Sequence, residues 1–297
     1  MLRFLVTLGL LGACGAAAGL WVTRPVVVTA EALPDHIPDP VQGEAIFYAT
    51  GCASCHAAPG AQGDAKLVLA GGMEFKTEFG VFHAPNISTD RDVGLGAWTD
   101  AEFVSAVQHG TSPSGEHYYP AFPYASYSRM ETTDILDLKS FMDTLPADAT
   151  PSRPHDLSFP FNIRMTLGAW KLLYVDPEPV FAQTDPLLAR GQYLVEAMGH
   201  CSECHTPRNA LGGPILSQWM AGGANPDGEG KIPNITPWAL DWVETDIAYY
   251  LETGFTPDFD SAGGSMVAVI ENTAKLSPED RSAIAAYLKA IPAVASQ

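Results

Sequence analysis

Two five-residue stretches constrain this chain more than anything else in it: Cys52-Ala53-Ser54-Cys55-His56 and Cys201-Ser202-Glu203-Cys204-His205. Both read C-x-x-C-H, and together they use four of the five cysteines. The spacing is that of c-type haem attachment. Thiols three positions apart can bond two vinyl-derived carbons on one porphyrin edge, and the histidine that follows is held beneath the iron as proximal ligand. Zinc sites use C-x-x-C pairs, but nothing about zinc calls for a histidine directly after each pair. A redox dithiol is expected once, in a βαβ context that this sequence lacks. Cys52, Cys55, Cys201 and Cys204 therefore read as attachment residues for two covalent haem c groups, with His56 and His205 as iron ligands.

Covalent attachment takes place where an exported chain meets haem and reductant, outside the bacterial cytoplasmic membrane, so an export signal is required. Arg3 precedes an apolar run over residues 4–22, broken by Thr23, Arg24 and Pro25. At 1.5 Å per residue, about 19 residues span roughly 28 Å, close to a bilayer core, and Trp21 stands where an interfacial anchor would. Residues 1–30 are read as a signal anchor, a transmembrane helix with its tether, leaving the rest in the periplasm at the inner membrane. Cleavage after Ala18 or Ala30 is the alternative; lipidation of Cys14, in Leu11-Gly12-Ala13-Cys14, is a third. With 34 acidic and 16 basic residues the net charge is −18, which argues against nucleic acid as partner. It either keeps the surface soluble or attracts a basic patch on a redox partner.

The region after the anchor is a repeat. Gly43 lies nine residues before Cys52 and Gly191 ten before Cys201. Pro85-Asn86-Ile87-Ser88 answers Pro233-Asn234-Ile235-Thr236. Met130 to Pro146 spans 16 positions, as does Leu276 to Pro292. The first copy predicts a short helix over 43–50, a second from Thr99 or Asp100 to His109, and a last from Thr132 or Thr133 to Leu145. Ile135, Leu138, Phe141, Met142 and Leu145 form the apolar stripe of the last. Residues 26–40 read as an extended tether that lifts the first domain off the membrane. Prolines at 151, 154, 160, 177 and 179 mark a linker with one helical piece near 163–174. Its Phe159, Phe161, Trp170 and Tyr174 are expected to pack between the domains. The division is anchor and tether 1–30, first domain 31–146, linker 147–180 and second domain 181–297: a mostly α protein of two small helical domains in tandem.

These motifs, with Tyr119-Pro120-Ala121-Phe122-Pro123-Tyr124 and Gly263-Gly264-Ser265-Met266, resemble membrane-anchored dihaem c-type cytochromes. They are similar in particular to the cytochrome subunits of periplasmic alcohol, aldehyde and sugar-acid dehydrogenases. The resemblance implies class I cytochrome c domains after about residue 40. It also implies a sixth ligand in a loop before each last helix, where methionine raises the potential. Met266, 61 positions after His205, is the candidate in the second domain, with Met220 as the backup. In the first domain the matching position is Phe122, where related cytochromes often carry methionine. Met130 is the candidate there, with His117 or His109, or an open site, as alternatives. His36, His83, His155 and His200 read as surface or structural histidines. Trp98 and Trp242, similarly placed in the two copies, either flank the haems or pack in the core.

The function expected is an electron relay, from a periplasmic dehydrogenase subunit or other donor to a terminal oxidase, a soluble cytochrome or the quinone pool. No nucleophile–base pair or phosphate loop is present. A dihaem oxidoreductase of the peroxidase or thiosulfate-dehydrogenase kind, with one haem open or unusually ligated, is the runner-up. A subunit that mainly anchors a dehydrogenase is the third reading.

Overall fold

The computed structural model describes residues 2–225 and 230–296. Helix α1 (Leu2–Val22) coincides with the expected anchor. Its Phe4, Val6, Leu10, Leu20, Trp21 and Val22 are exposed. Among the described residues no helix is long and apolar enough to cross a membrane. The extended segment that follows is not the free tether expected. The Val28 amide donates to Ser105 Oγ at 2.8 Å, and Val28 and Leu33 pack against the core. Asp137 Oδ1 accepts from both His36 Nε2 and the Asp39 amide, each at 2.7 Å. Apart from a 3-10 turn at Ala30–Ala32, this run is held by bonds to the first domain's own side chains.

The first domain opens with α2 (Pro40–Thr50). Asp39 caps it, Pro40 fills its first position and Gly51 ends it in the left-handed conformation at φ +63°. The attachment turn α3 (Cys52–His56) follows at once. A hairpin of β1 (Glu74–Thr77) and β2 (Gly80–His83) comes next. Helix α4 (Asp100–His109) begins with a full capping box between Thr99 and Glu102 and ends at Gly110, φ +58°. A short turn, α5 (Tyr124–Tyr127), precedes α6 (Thr132–Met142). The apolar stripe expected on α6 does face inward at Ile135, Leu138 and Met142, against Phe47 of α2 and Phe103, Val104 and Val107 of α4.

The proline-rich stretch is less of a linker than its composition suggests. Asp156–Leu157 forms β3 and pairs with β2, making a three-stranded sheet. Helix α7 (Leu167–Tyr174) is preceded by a 3-10 turn at Arg164–Thr166. Of its aromatics, Trp170 does bridge: its ring lies 6.3 Å from Tyr124 and its Nε1 donates to the Leu211 carbonyl. Tyr174 accepts from Asn209 in the second domain. Phe161 packs on Phe79 beside the first domain's hairpin instead, and Phe159 is exposed.

The second domain repeats the plan. Helix α8 (Pro186–Gln192) is capped by Asp185 and runs into a π turn at Tyr193–Met198. Then come α9 (Ser202–His205), the strand pair β4 (Gly223–Ala224) and β5 (Lys231–Ile232), α10 (Glu244–Thr253), α11 (Met266–Thr273) and α12 (Pro278–Ala290). Met198, Leu194, Ile247, Leu251, Ile284 and Tyr287 form its core.

In each domain the first and last helices cross at a glycine. A Cβ on Gly43 would stand 2.0 Å from the Asp137 carbonyl oxygen of α6, and one on Gly191 would stand 1.9 Å from that of Ala283 in α12. The repeated glycines ahead of each C-x-x-C-H are therefore the points where two helix backbones touch. Gly43→Ala and Gly191→Ala are each expected to cost on the order of 3 kcal/mol by overpacking. Gly263→Ala, with nothing within 4 Å of the added atom, is expected to stay within about 0.5 kcal/mol. Denaturant unfolding of the holoprotein, followed by far-ultraviolet circular dichroism, measures all three.

Candidate haem-attachment sites

The proximal side is built the same way twice. Gly51, left-handed, turns the chain from α2 into Cys52, so the cysteines and His56 share one tight helical turn. His56 Nδ1 donates to the Pro85 carbonyl at 2.8 Å, and His205 Nδ1 donates to the Pro233 carbonyl at 2.8 Å. That bond fixes the tautomer and leaves the Nε2 lone pair of each ring to meet a metal. Burial pulls the pKa of both imidazoles down, which keeps them neutral, as ligation requires.

The proline carbonyl is itself held. Asn86 Oδ1 accepts from the Ser88 amide, and Asn86 Nδ2 donates to the carbonyls of Asp148 and Thr150 at 2.7 and 2.9 Å. Asn234 repeats this with the Thr236 amide, the Val294 carbonyl and Ser296 Oγ. A glycine closes the loop from the other side: the Gly71 amide donates to the His56 carbonyl at 2.7 Å, and the Gly222 amide to that of His205 at 2.8 Å. A Cβ on Gly71 would fall 2.5 Å from the Pro85 carbonyl group, and one on Gly222 would fall 2.5 Å from the Ile232 oxygen. The repeated Pro-Asn motif was legible in the sequence, but its task was not: it positions a carbonyl behind the imidazole.

No disulfide joins the motif thiols, and burial raises the pKa of Cys52, pushing Cys55 up to about 11 and Cys201 up to about 12. Among the described residues, no three His, Cys, Asp or Glu side chains gather as a cation site. Two cysteines on one tight turn, followed by a histidine whose Nδ1 is bonded to a carbonyl, fit covalent attachment of a porphyrin in each domain.

The distal loops can be registered residue by residue. Thr111 bridges His117 as Phe255 bridges Ser261. The Tyr118 amide donates to the Gly110 carbonyl at 2.8 Å, and the Ala262 amide to that of Gly254 at 2.7 Å. Phe122 and Met266 each lie four residues beyond those amides, so Phe122 occupies the place of Met266. Met266 is the first residue of α11 and packs against the core. Met130 lies two residues before α6, as Leu276 lies two before α12; both are buried, and their amides donate to the Tyr127 and Thr273 carbonyls. Met220 belongs to the proximal side: its carbonyl accepts from Ile235 as that of Leu69 accepts from Ile87. His117 Nε2 donates to the Thr23 carbonyl, and His109 ends α4. His36 binds Asp137, as above, while the His155 ring sits among Phe82 and Tyr119 and its Nδ1 accepts from the His83 amide. Trp242 stacks edge-on with Tyr250, and Trp98 is half-buried.

The two attachment turns also meet each other. The Thr50 carbonyl, two residues before Cys52, accepts from Tyr127 Oη at 3.1 Å and from His200 Nε2 at 3.3 Å. The His200 ring lies 5.8 Å from that of Tyr127. Asn272 of α11 donates to Ser54, inside the first C-x-x-C-H, at 2.8 Å. Lys66 pairs with Glu271 alongside. His200 is thus a junction residue. Only its position beside Cys201 hinted at this in the sequence.

Cytochrome c is the family whose pattern matches residues 40–146 and again 188–292. A dihaem c-type cytochrome of Cereibacter sphaeroides is 57% identical over 279 residues, covering 94% of each chain. The fructose dehydrogenase cytochrome subunit of Gluconobacter japonicus is 37% identical over 270 residues, 88% of this chain and 54% of that one. The gluconate 2-dehydrogenase cytochrome c subunit of Pantoea cypripedii is 33% identical over 267 residues, 85% of this chain and 59% of that one. The chain therefore spans a little over half the length of these two dehydrogenase subunits. The chain belongs to the cytochrome c family, and it is a dihaem member with two covalent haem c groups.

The proximal geometry makes a prediction of its own. Asn86→Ala strips partners from the Asp148 and Thr150 carbonyls and the Ser88 amide at a buried site, at an expected cost of about 1–3 kcal/mol. Its potentiometric titration is expected to shift one haem and leave the other in place, and Asn234→Ala is expected to shift the opposite one.

Proposed function

We propose that this dihaem cytochrome c relays electrons in the periplasm, from a membrane-associated dehydrogenase or other donor to a respiratory acceptor such as a terminal oxidase, a soluble cytochrome or the quinone pool. The observation that carries the reading is the junction of the two attachment turns through Thr50, Tyr127 and His200, and through Ser54 and Asn272. An electron taken up at one turn is then a short step through protein from the other. In this reading Cys52 and Cys55 hold the first haem with His56 as proximal ligand. Cys201 and Cys204 hold the second between His205 and Met266. Haem supplies one-electron chemistry when bound; the chain orients the imidazoles, excludes water and fixes the spacing.

The names of the fructose and gluconate dehydrogenase relatives favour a dehydrogenase as donor. The net charge of −18 favours a basic docking patch on the partner. The 21-residue helix α1, with its exposed apolar side chains, favours attachment to the inner membrane with the haem domains outside it.

Pyridine haemochrome analysis is expected to give two haems per chain, falling to one when Cys52 and Cys55, or Cys201 and Cys204, are both replaced by alanine. Met266→Leu is expected to turn the second haem high-spin; an unchanged low-spin signal from that haem in the variant would rule out Met266 as a ligand. The relay itself is tested in washed membranes containing the chain and an alcohol, fructose or gluconate dehydrogenase. Substrate is expected to reduce both haems, more slowly as added salt screens the docking charges, and deletion of residues 1–25 is expected to move the haem signal to the soluble fraction. Failure of all three dehydrogenases to reduce either haem would sink the dehydrogenase reading.

A further inference from the structure

We infer that the first haem has no side-chain ligand on its distal face and binds a small neutral diatomic molecule there, carbon monoxide or nitric oxide being the simplest representatives. The inference rests on the proposed attachment of that haem at Cys52, Cys55 and His56, and goes beyond the relay.

The argument is one of register. The two distal loops share a backbone: a left-handed glycine at Gly110 or Gly254, a bridge at Thr111–His117 or Phe255–Ser261, and an amide returning to that glycine from Tyr118 or Ala262. The turns inside the bridges match too, with Ser112 donating to the Glu116 carbonyl and Thr256 to that of Asp260, both at 2.9 Å. On this shared frame the thioether of Met266 is answered by the phenyl ring of Phe122, which has no lone pair to offer iron.

Several of the neighbouring side chains hold other places in the fold. Met130 takes the place of Leu276 in the register and is buried in the core, 2% exposed. His117 is turned to the Thr23 carbonyl, against Gly168 of α7. The Tyr127 hydroxyl is spent on Thr50. The Tyr124 ring is boxed in by Gly110, Trp170 and the ammonium of Lys171, which stands 4.7 Å above it. The Tyr119 ring carries the Arg164 guanidinium and meets Phe82. What surrounds Phe122 is aromatic: Tyr118 at 6.0 Å, Tyr127 at 5.8 Å and Tyr124 at 6.3 Å between ring centroids. Ring faces of this kind favour an uncharged ligand, because an ion would give up its hydration on entering.

The test is a titration of the dithionite-reduced holoprotein with carbon monoxide, read in the Soret band, beside the near-infrared methionine–iron charge-transfer band of the oxidised protein. The wild type is expected to bind one carbon monoxide per two haems and to show one equivalent of the charge-transfer band. Phe122→Met is expected to abolish binding and add a second equivalent. Met130→Leu is expected to bind one, as the wild type does, and Met266→Leu two. A wild type with two haems that binds none, or a Met130→Leu variant that gains a site and loses a charge-transfer band, would overturn the inference. A wild type with only one covalent haem would instead overturn the attachment reading beneath it.

Discussion

Both halves of this protein hang on one hydrogen bond, from the Nδ1–H of a histidine to the carbonyl of a proline, 2.8 Å long in each. A neutral bond of this kind adds only about 1 kcal/mol to stability; its weight lies in what it decides. It sets the tautomer, aims the ring and exposes Nε2. A carbonyl in this place, rather than a carboxylate, leaves the ligand a modest base. The carbonyl cannot drift, because Asn86 and Asn234 tie their loops to the chain just beyond the last helix of the domain. The proximal ligand is therefore coupled to the C-terminal end of its own domain, and the packing of the last helix becomes part of the site.

That coupling explains why the helix crossings are so close. If α6 slid along α2, Asp148 and Thr150 would move with it, and so would Asn86 and the Pro85 carbonyl. The contact at Gly43, and its twin at Gly191, lets backbone lie against backbone with no flexible side chain between. The domains are then joined near their attachment turns. The first domain uses Gly51 at φ +63° where the second uses His200 at φ +40°. A left-handed residue other than glycine costs roughly 1–2 kcal/mol. Here the imidazole makes the bond to Thr50 and the contact with Tyr127 that glycine could not, and these offset the strain.

The attachment motifs, the Pro-Asn repeat, the glycines and the capped α4 were all legible because each is a short pattern enforced by local chemistry. Other parts were not. Strand β3 hides in a proline-rich run, since only its pairing with β2, some seventy positions away, makes it a strand. The segment over residues 26–40 reads as a tether because the groups that hold it, Ser105 and Asp137, are remote in sequence. The hairpin of β1 and β2 is four residues a side, below the length at which alternation speaks. His200 was set aside as structural on its type, and it is structural, but at the interface that brings the attachment turns together. On the distal side the spacing drew attention to Met130, the nearest methionine. In the backbone register Met130 stands at the position of Leu276, because α5 is shorter than α11.

The two copies have diverged unevenly, and the pattern has a physical cause. Positions where backbone approaches backbone are retained in both, Gly43 and Gly191, Gly71 and Gly222, as are the left-handed Gly110 and Gly254. A side chain at any of the first four would collide with main-chain atoms that have nowhere to go. The distal position carries no such constraint, because the bridge and the returning amide hold the loop whatever side chain follows. Phe122 can stand for Met266 without moving the frame; under the proposed ligation, the distal side of one haem then changes while attachment and the junction persist. A tandem repeat of this design can keep one haem as a carrier and release the other to different chemistry by substitution at a single residue.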